Sequence, residues 1–145
     1  MKSDQSIRNI CIAAIKRKIR KPFDFLLTDM FEKETIDEID DDDFKLLAFF
    51  ENELPIARTH VYADSWTLVT SRQIISCKDG IITACQAEKV LSWTWNDFKG
   101  YNKLPFTIGQ LKLGDNQTLE IFIETGRASM VIIYAIRTLV GQLAQ

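Results

Sequence analysis

Two cysteines flank an Asp-Gly pair in RQIISCKDGIITACQ, residues 72–86, and paired cysteines can serve redox exchange or hold a metal. Asp-Gly between two apolar runs signals a β-hairpin with a type I′ turn, which needs φ > 0 at both central positions. With Asp79 and Gly80 central, Lys78 pairs with Ile81, Cys77 with Ile82, Ile75 with Ala84 and Ile74 with Cys85. One face then carries Ile75, Cys77, Ile82 and Ala84, and the other carries Ile74, Ser76, Lys78, Ile81, Thr83 and Cys85. The cysteines fall on opposite faces, out of reach of a disulfide or a shared metal without a register slip that would turn the apolar set outward. Cys77 is expected in the core and Cys85 as a half-exposed thiol.

Other candidates for chemistry are few. The single histidine, His60, has no nucleophile and orienting acid marked beside it, as a hydrolytic triad requires, and reads as a strand-surface residue. No cluster has zinc spacing, and no P-loop, GxGxxG or GxSxG occurs. The tract DEIDDDD, with Asp37, Glu38, Asp40, Asp41, Asp42 and Asp43, invites a calcium reading. Counted from Asp37, however, Asp42 stands where an EF-hand needs Gly, and Ala48 where it needs Glu. Its plain role is an N-terminal cap for a helix, where carboxylates meet the positive dipole end. Its functional role would be an acidic docking patch for a basic partner. Lys16, Arg17, Lys18, Arg20 and Lys21 form the opposite motif, a basic helix terminus able to meet phosphate or anionic lipid.

The charges are strongly segregated. Residues 1–21 carry seven Lys/Arg and one Asp, whereas residues 22–53 carry twelve Asp/Glu and two Lys. Mutual neutralisation of the two neighbours is the first explanation to test. With 145 residues, 46% apolar side chains and a net charge of −2, the chain suits one domain with a substantial core and gives no global pull toward nucleic acid. Its three cysteines fit a reducing compartment, and its longest apolar run, MVIIYAIRTLVG, is too short to span a bilayer. The chain reads as soluble and cytoplasmic, without cofactor.

Ile7, Ile10, Cys11, Ala14, Ile15 and Ile19 recur at helical steps and predict a first helix that Pro22 stops. A second helix is expected over PFDFLLTDMFEKE, with Phe23, Leu26, Leu27 and Met30 inward. A third is expected over IDEIDDDDFKLLAFFENEL, burying Phe44, Leu47, Ala48 and Phe50, with Phe49 also packed. From about residue 56 the period becomes two, with breaks at Ala63–Ser65 and Thr70–Arg72. EKVLSWTWNDF predicts a strand with Leu91, Trp93 and Trp95 on one side, and LKLGDNQTLEIFI predicts a second hairpin. A last helix follows, with Thr125 as N-cap, Gly141 as C-cap, and an apolar face through Val131, Ile132, Ala135, Ile136 and Leu139. Helices followed by antiparallel strands argue an α+β fold: residues 1–55 as a cap of three helices, residues 56–145 as a sheet with a terminal helix. The breadth of the last helix leaves room for a homodimer.

Residues 63 to about 141 resemble a bacterial pleckstrin-homology-like domain. The resemblance lies in WTLVTSRQIIS with its Thr-x-Arg turn, in AEKVLSWTW, in the LKLGDNQTLEIFI hairpin, and in the closing apolar helix. It implies a strongly bent sheet or partial barrel with the last helix plugging one open end, and binding of lipids, peptides or proteins rather than catalysis. Phosphoinositide-binding members use a Lys/Arg cluster around the first hairpin, where this sequence offers Arg72 and Lys78 beside a two-residue turn. The expected function is therefore a non-catalytic protein-interaction module. An acidic, immunity-like inhibitor of a basic toxin and a peripheral binder of anionic membranes are the alternatives.

Overall fold

The computed structural model describes residues 2–20 and 25–144. Helix α1 spans Asp4–Ile19, capped by Ser3, whose hydroxyl accepts from the Ser6 amide at 3.1 Å. Three short segments follow before the main sheet: strand β1 (Thr28–Met30) and 3₁₀ turns over Ile36–Glu38 and Asp42–Leu46. Strands β2 (Pro55–Tyr62), β3 (Ser65–Thr70), β4 (Gln73–Lys78) and β5 (Ile81–Gln86) then run as an antiparallel meander, with β1 added beside β2. Strands β6 (Val90–Thr94), β7 (Phe106–Leu113) and β8 (Thr118–Glu124) form a second antiparallel sheet, and helix α2 (Ser129–Leu143) ends the fold.

The architecture is α+β, as expected, but the described residues hold one α-helix before the strands and one after them, with two separate sheets, rather than a three-helix cap, one curled layer and a terminal helix. The second expected helix is the clearest correction. Residues 21–24, which include Lys21, Pro22 and Phe23, lie outside the described residues, and from Phe25 onward the chain bends into β1. Its backbone groups find partners far along the sequence. The Leu26 and Leu27 amides donate to the Glu124 carboxylate at 3.0 and 2.9 Å, and the His60 amide donates to the Leu27 carbonyl at 2.8 Å. Leu26, placed inward by helical spacing, is 85% exposed.

The third expected helix is replaced by the two 3₁₀ turns. Aspartates compete for backbone N–H groups and weaken a helix interior. The Asp41 carboxylate takes the Asp43 amide at 2.9 Å and so caps a short turn, not a helix. Phe44 is buried as expected and Leu47 and Phe49 pack beside it, but Ala48 and Phe50 are exposed.

The first hairpin matches its expected register at every pair from Lys78↔Ile81 to Ile74↔Cys85, and Asp79 and Gly80 have φ of 52° and 82°. Its burial departs from expectation because β4 is covered on both faces. Ile74 and Cys85 belong to the main core with α1, α2 and β8. Ile75 and Cys77 belong to a second core with Trp66, Leu68, Phe31, Ile39 and Phe44. Cys85 is therefore buried rather than half-exposed.

In β6 a bulge lies between Val90 and Ser92, so Val90 opposes Leu113 and Trp93 opposes Leu111. The extra residue, Leu91, is turned out to solvent instead of sharing the Trp93 face. Gly109 on β7 is a site of close approach: a Cβ there would stand 2.9 Å from the Thr94 carbonyl oxygen and 2.9 Å from Ile123 Cδ1. Gly109→Ala is expected to cost about 1–3 kcal/mol by overpacking, read as a lower urea midpoint with an unchanged slope.

Strand β8 packs against β2, β3, β4 and β5, so the second sheet lies across the inner face of the first. Beneath it runs a cross-strand row of hydroxyl residues, Thr28, Thr59, Thr67, Ser76 and Thr83, each registered on the next. The Phe122 amide of β8 donates to Thr67 Oγ1 at 2.8 Å, and Thr67 and Ser76 hydroxyls lie 2.9 Å apart. Helix α2 packs on β2, β3 and β8 with α1 alongside it, and Val131, Ile132, Ala135, Ile136 and Leu139 are all buried there. The apolar breadth of this helix is thus covered within the chain. Neither expected cap holds. A 3₁₀ turn over Gly126–Ala128 separates Thr125 from α2, with the Thr125 hydroxyl donating to the Leu104 carbonyl at 2.6 Å, and Gly141 lies inside the helix.

Candidate functional site

The acidic tract is held on the outer face of the first sheet by side chains of β2 and β3. Arg58 donates to Asp29 at 2.7 and 3.2 Å and to Asp41 at 3.2 Å, with its guanidinium over the rings of Phe31 and Phe44 at 5.8 and 5.7 Å. The Trp66 indole N–H donates to Asp43 at 3.2 Å, and its ring meets Phe44 edge-on at 5.2 Å. Asp41 and Asp43 are thereby turned inward as fasteners. Asp37, Glu38, Asp40 and Asp42 stay exposed, and of these only Asp42 has an ion pair among the described residues, with Lys45 at 3.2 Å. The strap is therefore part structural and part unneutralised surface.

Beside it, a groove of about 690 Å³ opens between the first turn of α1, residues 35–37 and residues 49–54. Asp4, Asp37 and Glu53 line it together with Phe49 and Phe50, and no Lys or Arg among the described residues does. The β3–β4 turn, Thr70-Ser71-Arg72-Gln73, holds two of its carboxylates, Asp4 and Glu53. Thr70 Oγ1 accepts from the Arg72 and Gln73 amides at 3.1 and 3.0 Å and donates to Glu53. Glu53 also accepts from Gln73 Nε2 at 2.9 Å and from the Phe50 amide at 2.9 Å. Asp4 takes Arg72 Nε and Nη2, both at 2.9 Å, and the Ser71 hydroxyl at 2.7 Å. The Thr-x-Arg turn thus joins α1, the strap and the sheet at one point.

Burial alone would raise the Asp4 carboxyl, but the Arg72 and Ser71 hydrogen bonds and the Arg72 charge hold it below its ordinary value. A carboxyl lowered on folding stabilises above its unfolded pKa, near 3.9, and loses that contribution as pH falls through the folded value. The stability gap between the native chain and Asp4→Asn is accordingly expected to be constant from pH 7 to about 5, and to close below about 4. Urea titrations across that range measure it.

Arg8, one turn beyond Asp4, is 2% exposed. Its Nη1 donates to the Glu34 and Pro55 carbonyls at 2.5 and 3.2 Å, and its Nε has no partner among the described residues. Asp4 and Arg8 escaped sequence reasoning, although charges four apart within an apolar stripe were a visible signal. Glu53 and Glu124 gave no such signal.

The basic residues of α1 lie on the other side of the first sheet, on the helix-covered face. Lys16 reaches Glu32 at 2.5 Å, the one ion pair among the described residues between this helix terminus and the acidic segment. With Arg8 beside Glu34 and Glu38, mutual neutralisation accounts for part of the charge segregation and leaves Arg17, Lys18 and Arg20 unpaired among the described residues. Lys18 stands 5.0 Å over the Tyr134 ring, and Arg137 of α2 lies 5.1 Å from Tyr134 and 5.9 Å from Trp93. Trp93 and Trp95 stack at 5.6 Å and pack against the main core. Arg17, Lys18, Arg20 and Arg137 make no ion pair among the described residues.

The thiols offer no redox or metal pair: Cys77 and Cys85 lie on opposite faces of β4–β5 and in different cores. Burial pushes Cys11 up to about 12 and Cys85 up to about 11, and it raises Cys77, which is also near the carboxylates of Asp43, Asp64 and Asp41. All three are held as thiols at neutral pH. No group of three or more His, Cys, Asp or Glu could hold a metal ion among the described residues, and no described helix is long and apolar enough to cross a membrane. Comparison with known proteins found no matching family model, no matching curated protein and no matching solved structure.

Proposed function

We propose that the chain is a non-catalytic, cytoplasmic interaction module of bacterial pleckstrin-homology-like type, and that it docks a protein presenting Lys or Arg to its acidic face. A four-strand meander, a three-strand meander laid across it and an apolar terminal helix support the family reading. The observation that carries the function is the set of exposed carboxylates on the strap, Asp37, Glu38, Asp40 and Asp42, with Asp37 also lining the adjoining groove beside Phe49 and Phe50. A basic toxin neutralised at this face is the immunity-like version of the same proposal.

Exposed ion pairs contribute about 0.3–0.5 kcal/mol each, so four together are worth roughly tenfold in affinity. A labelled arginine-rich peptide titrated by anisotropy tests this. The combined change Asp37→Asn, Glu38→Gln, Asp40→Asn and Asp42→Asn should weaken binding roughly tenfold at low salt and flatten its salt dependence. The same charge change at Asp64, Asp79, Glu88 and Asp115 should not. Equal loss in both sets, or in neither, would reject the acidic face as the site.

A further inference from the structure

The helix face carries the charge pattern complementary to the strap. Lys18 and Arg137 lie against Tyr134, Arg137 also lies against Trp93 of the Trp93–Trp95 stack, and Arg17 is exposed beside Lys18 in the chain, all without ion pairs among the described residues. The first sheet separates the two surfaces. Trp66, Leu68, Ile75 and Cys77 point toward the strap, whereas Val69 and Ile74 point toward the helices. Helix α1 meets the acidic segment through Asp4 at the groove, Arg8 beside Glu34 and Glu38, and the Lys16–Glu32 bridge, while Lys18 and Arg137 make no ion pair with it among the described residues.

We infer that the basic partner is a second copy of this chain, whose α1–α2 face docks on the acidic strap and groove. The inference rests on the proposed role of the acidic face and names its occupant. Because the strap and the α1–α2 face differ and lie on opposite sides of the first sheet, the contact is heterologous. Each docked copy leaves one acidic and one basic surface free, and assembly continues head to tail rather than stopping at a two-fold dimer. Complementary charge also makes it strongly dependent on salt.

Sedimentation velocity on the full chain tests the inference with two variants. One neutralises Asp37, Glu38, Asp40 and Asp42, and the other carries Arg17→Gln, Lys18→Gln and Arg137→Gln. At low ionic strength the native chain should grow past dimer with concentration, and it should return to monomer in about 1 M salt, where the screening length is about 3 Å. Each variant alone should stay monomeric. An equal mixture should form a heterodimer and nothing larger, since each partner retains only one docking surface, and this outcome also proves both variants folded. A native chain that stays monomeric, a mixture that stays monomeric, or a variant that assembles like the native chain would overturn the inference. So would binding of the helix face to phosphatidylserine vesicles by a monomeric native chain. Retention of arginine-rich peptide binding in any of these cases would leave the acidic face intact as a site and reject only self-association.

Discussion

Replacing Trp66 by alanine is expected to unfasten the acidic strap and to cost about 3–5 kcal/mol of folding stability. The side chain has no exposed surface and is the largest fully buried one in the second core. It touches Phe44 edge-on, and its N–H holds Asp43, so one substitution removes both the apolar and the polar attachment of the strap. The main core on the other face of the sheet is untouched, so the loss should be uneven across the molecule. Limited proteolysis between residues 37 and 47 should accelerate more than cleavage elsewhere. Trp66→Phe keeps a ring against Phe44 and gives up the Asp43 bond, for a smaller loss of about 1–2 kcal/mol. A Trp66→Ala protein with an unchanged urea midpoint, or one that opens no faster at the strap, would show that Arg58 alone fastens it.

Glu124→Ala should be the second most damaging change, at about 2–4 kcal/mol, because it removes a charged acceptor from two part-buried N–H groups at once. Glu124 is 6% exposed, and its two carboxylate oxygens accept from Leu26 and Leu27. The carboxylate serves as a short length of strand edge and guides the chain into β1. Glu124→Gln leaves one accepting oxygen and should lose about half as much. Hydrogen exchange at the Leu26 and Leu27 amides is the direct readout. Protection there that survives in Glu124→Ala would place the anchor of this segment in β1 pairing alone.

These two residues also mark how far the sequence could be followed. Asp79-Gly80 fixes a turn by local conformation, and alternation over residues 73–86 fixes the partners, so the first hairpin was legible to the residue. The Leu111–Leu119 hairpin and the inward face of α2 follow from the same local periodicities. The expected helices failed over the described residues 25–54 because helical spacing of Leu26, Leu27 and Met30 is a local signal, while Glu124 and the His60 amide decide the outcome from 33 or more residues away. Strand alternation points Glu124 outward by the same rule that points Ile123 inward. Only the approach of β1 reverses that assignment, and no local pattern announces it. The acidic surface was visible as composition, but its division into two fasteners and four exposed carboxylates depends on where Arg58 and Trp66 stand.

The hydroxyl row beneath β8 has a mechanical corollary. Apolar side chains can slide over one another at little expense, so two greasy layers laid crosswise have no built-in stop. Here the Phe122 amide finds its acceptor at one tooth of the row, and Thr67 in turn leans on Ser76. Moving the upper layer by a single residue would lift that N–H off its seat and leave it dry and unmatched. The row works as a detent, setting where the layers stop while the surrounding isoleucines and leucines only press them together.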